Sequence, residues 1–169
     1  MIGYDLIEYA KDNKSTNEKM NNIIENISEE EWKKEFNGYY KSIYELCSHI
    51  YSADFNWFKR FIQNCDFEII NKDFFGKDFF PERIFTKTIF KNINEYVHMR
   101  KELDEIIIEF ISKLSENDLN KILIVNGSNG NIFELIMGEL IFYIFKHEIH
   151  HRGMISLYLD MLGIENDYC

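Results

Sequence analysis

Near the C-terminal end, His147-Glu148-Ile149-His150-His151 could do chemistry by residue type and by spacing. The letters fit H-E-x-x-H, in which two imidazoles one helical turn apart hold zinc and the intervening glutamate acts as general base. A protease of that kind also needs a third ligand further along and a strand edge for its peptide. No histidine follows His151, the spacing H-E-x-x-H-x-x-G fails with Gly at 153 and Met at 154, and no strand set precedes the motif. The protease reading is set aside, and Glu148 is taken as accidental to the pattern.

What stays is the pair His147 and His151. They belong to a helical stripe of Phe133, Met137, Leu140, Ile144, Ile155, Tyr158 and Leu162 and stand where core residues belong. Two imidazoles buried without partners would be expensive, whereas one metal ion between them would satisfy both. His150 falls about 100° away around the helix and reads as a surface or edge residue. Taken alone, such a pair is a weak signal and fits ordinary core or surface histidines better than a metal site. His49 shifts the balance, because it flanks the apolar face of an earlier helix that a bundle can bring alongside. Three neutral imidazoles plus water form the open coordination of a reactive zinc or nickel site, suited to Lewis-acid activation of a bound water or thiol.

The elements that must position these residues are helices. A periodic segment from about Ile2 to Ile27 carries Leu6, Tyr9, Met20, Ile23 and Ile27, interrupted midway by Asn13, Thr16 and Asn17. That polar break implies either a face lining a solvated cavity or a loosely packed helix middle. A second helix opens at Ser42, an N-cap with Glu45 in the capping-box position, and runs through Ile43, Leu46, Ile50, Ala53, Trp57 and Phe61. Residues 66 to 84, with Gly76 and Pro81, break the pattern and form a loop. A third helix runs from about Thr86 to Leu114, with Arg100 interrupting its stripe and His98 off it, exposed. After a β-prone run and two Asn-Gly turns, Asn131 caps a fourth helix, with Glu134 in its capping box and Gly163 as its stop. Four such helices with long crossings describe an all-α four-helix bundle, one domain over residues 1–169.

Composition fits that reading and narrows the partners. With 46% hydrophobic and 16% aromatic residues the chain can bury a core. A net charge of -10 with no basic patch argues against nucleic acid and anionic membranes. Asp5, Glu8 and Asp12 stand where a signal peptide would need a basic start and an apolar run, and Cys47, Cys65 and Cys169 form no CxxC pair. Both features suit reduced thiols in a cytoplasm, with Cys47 and Cys65 as buried small hydrophobes.

The stretch SIYELCSHIYSADFNWF around His49, together with FKHEIHHRGMISLYLDMLGI at the end, resembles the DinB-like family of metal-binding four-helix bundles, related to the YfiT-type proteins. The resemblance spans nearly the whole chain. It implies that His49, His147 and His151 bind one divalent metal, zinc or nickel, and that the chain forms a homodimer. Where the family often has Gln after Arg-Gly, this chain has Met154. Characterised relatives include S-transferases and isomerases using low-molecular-weight thiols such as bacillithiol or mycothiol, and hydrolases. The reading implied is a metal-dependent, thiol-dependent S-transferase acting on a small electrophile, with a non-catalytic metal-binding stress-response protein and a metal-dependent hydrolase as alternatives. Asn13, Asn17 and Arg100 are expected to line the pocket holding cofactor or substrate, unless Arg100 snorkels to solvent.

Overall fold

A computed structural model describes residues 2–66, 68, 72–76, 89–126 and 130–168. Apolar residues spaced three and four apart build four long helices: α1 (Ile2–Ile24), α3 (Ile43–Gln63), α4 (Ile93–Lys113) and α6 (Met137–Met161). Between them lie the short α2 (Glu29–Lys33) and α5 (Glu116–Leu119), a 3-10 turn (Lys72–Gly76), and a hairpin of β1 (Ile122–Asn126) and β2 (Ile132–Ile136). Among the described residues no helix is long and apolar enough to cross a membrane.

Local chemistry sets the helix boundaries. Ser42 Oγ accepts from the Glu45 amide at 3.1 Å, whereas the Glu45 carboxylate accepts from the Lys41 amide and not from Ser42, so only half of the expected capping box forms. Asn92 caps α4 by accepting from the Glu95 amide at 2.9 Å, which starts that helix at Ile93 and not near Thr86. Residues 86–88, and most of the loop expected over 66 to 84, lie outside the described residues. At the other end Gly163 adopts φ 74°, and the Ile164 amide returns to the Leu159 carbonyl, closing α6 as expected.

The start of α6 corrects the sequence reading. Residues 132–136 pair antiparallel with residues 122–126, in the register Ile122↔Ile136 and Ile124↔Glu134, so α6 starts at Met137, Asn131 is not its cap, and Phe133 sits on an exposed strand. Alternation of β-branched residues outweighs the local cap signal there. The hairpin buries Leu123 and turns Ile122, Ile124, Ile132 and Ile136 outward.

The long helices pack α1 against α4 and α6, and α3 against α4 and α6. Helices α1 and α3 are therefore diagonal, as are α4 and α6, so each of those connections must cross an end of the bundle. The residues between them do so by way of α2 in one case and of α5 with the hairpin in the other. Aromatic rings fill the core, Phe110 lying edge-on to Phe58 and stacked on Phe61, and Phe90 edge-on to both Tyr51 and Tyr96. Cys47 is buried there and Cys65 half-buried. Tyr9, expected in the core, is exposed and lies edge-on to Phe142.

Candidate metal centre

His49 projects from α3, and His147 and His151 from α6, two helices that pack together. The spacing of four puts the α6 pair one turn apart on one face. His49 Nε2 lies 2.9 Å from His147 Nε2, and His151 Nε2 lies 3.0 Å from that same atom. One ligand nitrogen from each ring lies within 4.8 Å of the others. Withdrawal from water, with the neighbouring His147, pushes His49 down to about 4. His151 falls to about 3 for the same reasons, and burial lowers His147 despite the adjacent Glu148. All three imidazoles are thus neutral near pH 7, the form in which they bind metals.

Whether these residues fit a metal can be tested on their own hydrogen bonding. An imidazole nitrogen has one in-plane site, either a proton or a lone pair. His147 Nε2 faces two nitrogens, so a hydrogen bond can satisfy one contact and must leave the other unmet. A cation accepting three lone pairs satisfies all of them, and the donor set suits zinc or nickel. His147 Nδ1 and His151 Nδ1 have no partner among the described residues. His150 and His98 are exposed and stand outside the trio, as their helical angles imply.

A loop braces the trio from one side. The Phe36 amide donates to the Lys41 carbonyl at 2.6 Å, Phe36 stacks on Tyr158 at 4.3 Å, and the Tyr158 hydroxyl donates to the Tyr40 carbonyl. Tyr40 is thereby set with its ring 4.7 Å from that of His49 and 5.2 Å from that of His151. Burial pushes the Tyr40 hydroxyl up to about 12, so it stays protonated.

Asn13, Asn17 and Arg100, expected to line a cofactor pocket, belong to one hydrogen-bonded cluster inside the bundle. All three are buried, Arg100 completely, so the alternatives of a solvated cavity, a loose helix middle and a snorkelling arginine are all replaced by a closed polar cluster. Its hub is Glu148, fully buried and far from accidental. Asn13 Nδ2 donates to Glu148 Oε1 at 2.8 Å, and Asn17 Nδ2 and Arg152 Nη1 donate to Oε2 at 3.2 and 3.1 Å. Arg152 also donates to the Asn13 and Asn17 side-chain carbonyls. Arg100 donates to Asp54 and Asp104, each at 2.5 Å. Burial opposes ionisation of Glu148, but the Arg100 and Arg152 guanidiniums outweigh it and hold its carboxyl below the ordinary range. Asp54, Asp104 and Arg152 were not singled out from the sequence, although Arg100/Asp104 and Glu148/Arg152 share the spacing of four with Asn13/Asn17.

Comparison with known proteins places this geometry in context. A family model described as the DinB family matches residues 2–169. The protein DinB of Bacillus subtilis (strain 168) is 25% identical over 162 residues, covering 96% of this chain and 87% of that protein. Among solved structures, YfiT from Bacillus subtilis, described as "a probable metal-dependent hydrolase with an unusual four-helix bundle topology", superposes with a TM-score of 0.72 at 11% identity, covering 94% of this chain and 87% of that one. A DinB-like protein of the same organism, YjoA, gives a TM-score of 0.58 at 18% identity, with 94% of each chain covered. At these identities the two structures share the fold.

Proposed function

The chain belongs to the DinB family, and on that footing we propose that it binds one divalent metal through His49, His147 and His151 and transfers a low-molecular-weight thiol to a small electrophile. The observation that carries the reading is the convergence of three neutral imidazole nitrogens that hydrogen bonding alone cannot satisfy. A divalent metal held there would act as a Lewis acid with open positions, lowering the pKa of a thiol or a water. The transfer forms a sulfur–carbon bond, breaks the bond to the leaving group and releases the thiol proton.

The chain's own residues favour a thiol over a water as nucleophile. In the H-E-x-x-H pattern the glutamate takes the proton of an attacking water, but Glu148 has both oxygens occupied by Asn13, Asn17 and Arg152. A thiol ionises without a protein base once its pKa is depressed. Tyr40 and Tyr143, whose rings lie beside those of the trio, offer apolar walls to a small substrate. Hydrolysis is the second reading, supported by the shared fold with YfiT and its described activity.

Metal per chain, measured by mass spectrometry, tests the site. The wild type should carry close to one metal, His147→Ala and His151→Ala should lose most of it, and His49→Ala nearly as much. His150→Ala and His98→Ala should retain it, and equal loss in the His150 variant would overturn the ligand set. Loaded protein is then assayed for thiol consumption against a reactive electrophile and for ester or amide cleavage. Turnover in the first assay supports transfer, and turnover in the second alone replaces it with hydrolysis.

A further inference from the structure

His147 and His151 are set relative to each other by their own helix, but His49 comes from α3, and its place beside them depends on how α3 lies along α6. One residue of slip between two helices is a shift of about 1.5 Å, whereas metal–nitrogen distances tolerate about ±0.2 Å. Apolar contact is non-directional and does little to oppose such a slip. Hydrogen bonds weaken steeply with distance and angle and can forbid it. Whatever fixes His49 on the α6 pair should therefore be a set of directional contacts between the two helices, close to the trio.

The buried polar cluster contains such a set. Each α6 ligand is followed directly by a cluster member, His147 by Glu148 and His151 by Arg152. Glu148 is tied to α1 by Asn13 at 2.8 Å and Asn17 at 3.2 Å, which fixes the rotation of α6 about its axis and hence the direction of the two imidazoles. On α3, Asp54 stands five residues after His49 and is completely buried. Its carboxyl is hydrogen-bonded to that of Glu148 and accepts from Arg100 Nη1 at 2.5 Å. Arg100 Nη2 donates to Asp104 at 2.5 Å, and Asn17 Nδ2 donates to Asp104 and to Glu148, each at 3.2 Å. These contacts close a ring, from Asp54 through Arg100, Asp104 and Asn17 to Glu148 and back, in which every long helix has a member. An apolar side chain of the same volume would fill the space of Asp54 without burying a carboxyl, so packing alone gives no reason for the acid.

We propose that Asp54 is a positioning residue for the histidine trio: by joining α3 to Glu148 and Arg100, it holds His49 against His147 and His151. Its bearing on a metal rests on the ligand set proposed above, whereas the positioning itself does not.

Two readouts on the full chain test this, one of them free of metal. Asp54→Ala releases α3 from the ring. Asp54→Asn keeps both contacts, its carbonyl accepting from Arg100 and its amide donating to Glu148. Phe110→Leu, in the aromatic core and outside the ring, lowers stability and serves as the control. In zinc competition against a chromogenic chelator, Asp54→Ala should bind about ten- to a hundredfold more weakly than the wild type, and the other two within about threefold of it. In the metal-free protein, acylation of His49 by diethyl pyrocarbonate, followed by peptide mass spectrometry, should quicken several-fold in Asp54→Ala and in neither of the others. Circular dichroism checks folding, and if Asp54→Ala does not fold, Asp54→Leu, which refills the core without either contact, takes its place. Unchanged His49 reactivity overturns the positioning role, and so does an equal rise in Phe110→Leu, which would reduce it to general stability. Unchanged zinc affinity in the folded variant overturns the bearing on the metal. A wild type that takes up no zinc overturns the ligand set instead, and the acylation rates then judge Asp54 alone.

Discussion

Asp54, Asp104 and Glu148 set three carboxyl groups beside the two guanidiniums of Arg100 and Arg152 inside the bundle. With all five ionised the cluster would hold an unbalanced negative charge at low dielectric. A proton on Asp54 removes it. Burial, reinforced by Glu148, raises Asp54 well above the ordinary carboxylate range, and its Oδ1 finds no donor among the described residues, whereas Glu148 can accept from a protonated Asp54. Asp54→Asn, isosteric with the protonated acid, should therefore change the unfolding free energy by less than about 1 kcal/mol. Glu148→Gln removes the charge that both arginines face and should cost ~3–5 kcal/mol. Urea denaturation of the pair checks this, and a larger loss in Asp54→Asn would put the proton elsewhere. Asp104 supplies the pH dependence: burial outweighs Arg100 and raises it from 3.8 to about 6. The folded pKa exceeds the unfolded one, so this contribution is full below about pH 4 and is lost as pH rises through about 6. The stability of the wild type relative to Asp104→Asn should accordingly increase as pH falls from about 7 to about 4, and a shrinking difference would mean that Asp104 stays ionised. The His trio was legible in the sequence because all three stand on or beside apolar stripes. Glu148 was not, because adjacency to His147 turns it about 100° away and its partners Asn13 and Asp54 come from distant helices.

At the scale of elements, the segment between α2 and α3 works as a brace. Gly38 packs so closely on the Tyr158 hydroxyl that a Cβ there would overlap it. That hydroxyl holds the Tyr40 carbonyl, and Tyr40 covers His49 and His151. Gly38→Ala should displace the brace at a cost of ~1–3 kcal/mol and, if the trio holds the proposed metal, let a competing chelator strip it faster. Unchanged metal retention in this variant would show that the trio stands without Tyr40. The brace could not be read from the sequence, since it depends on a contact between residues 38 and 158. The hairpin was half legible: its first strand showed as a β-prone run, but the second was hidden because Asn131 and Glu134 also fit a helix cap. The pairing Val125↔Phe133 and Leu123↔Leu135 decides between them, and such a partner is invisible to a local pattern.

At the scale of the molecule, each long helix contributes to the polar cluster: Asn13 and Asn17 from α1, Asp54 from α3, Arg100 and Asp104 from α4, Glu148 and Arg152 from α6. Sliding any one of these helices by a turn would leave buried charges unpaired, so the cluster fixes their mutual register more firmly than apolar packing would. The four helices followed from periodicity, and the crossing from α4 to α6 from a stretch too long for a tight turn; the other long stretch, residues 66 to 84, joins α3 and α4, which pack together, whereas the crossing from α1 to α3 was not expected. The diagonal arrangement of the helices did not follow, because apolar stripes say which face is buried and not against whom. On the outside, the hairpin leaves Ile122, Ile124, Ile132 and Ile136 facing solvent on a two-stranded ladder. Mutual repulsion from a net charge of -10 keeps such surfaces on neighbouring molecules apart, and dissolved ions weaken that repulsion. The colloidal behaviour of the protein should therefore be tied to ionic strength: light scattering of the protein should stay low in dilute buffer and rise as salt is added, and no rise would mean that the hairpin face does not self-associate.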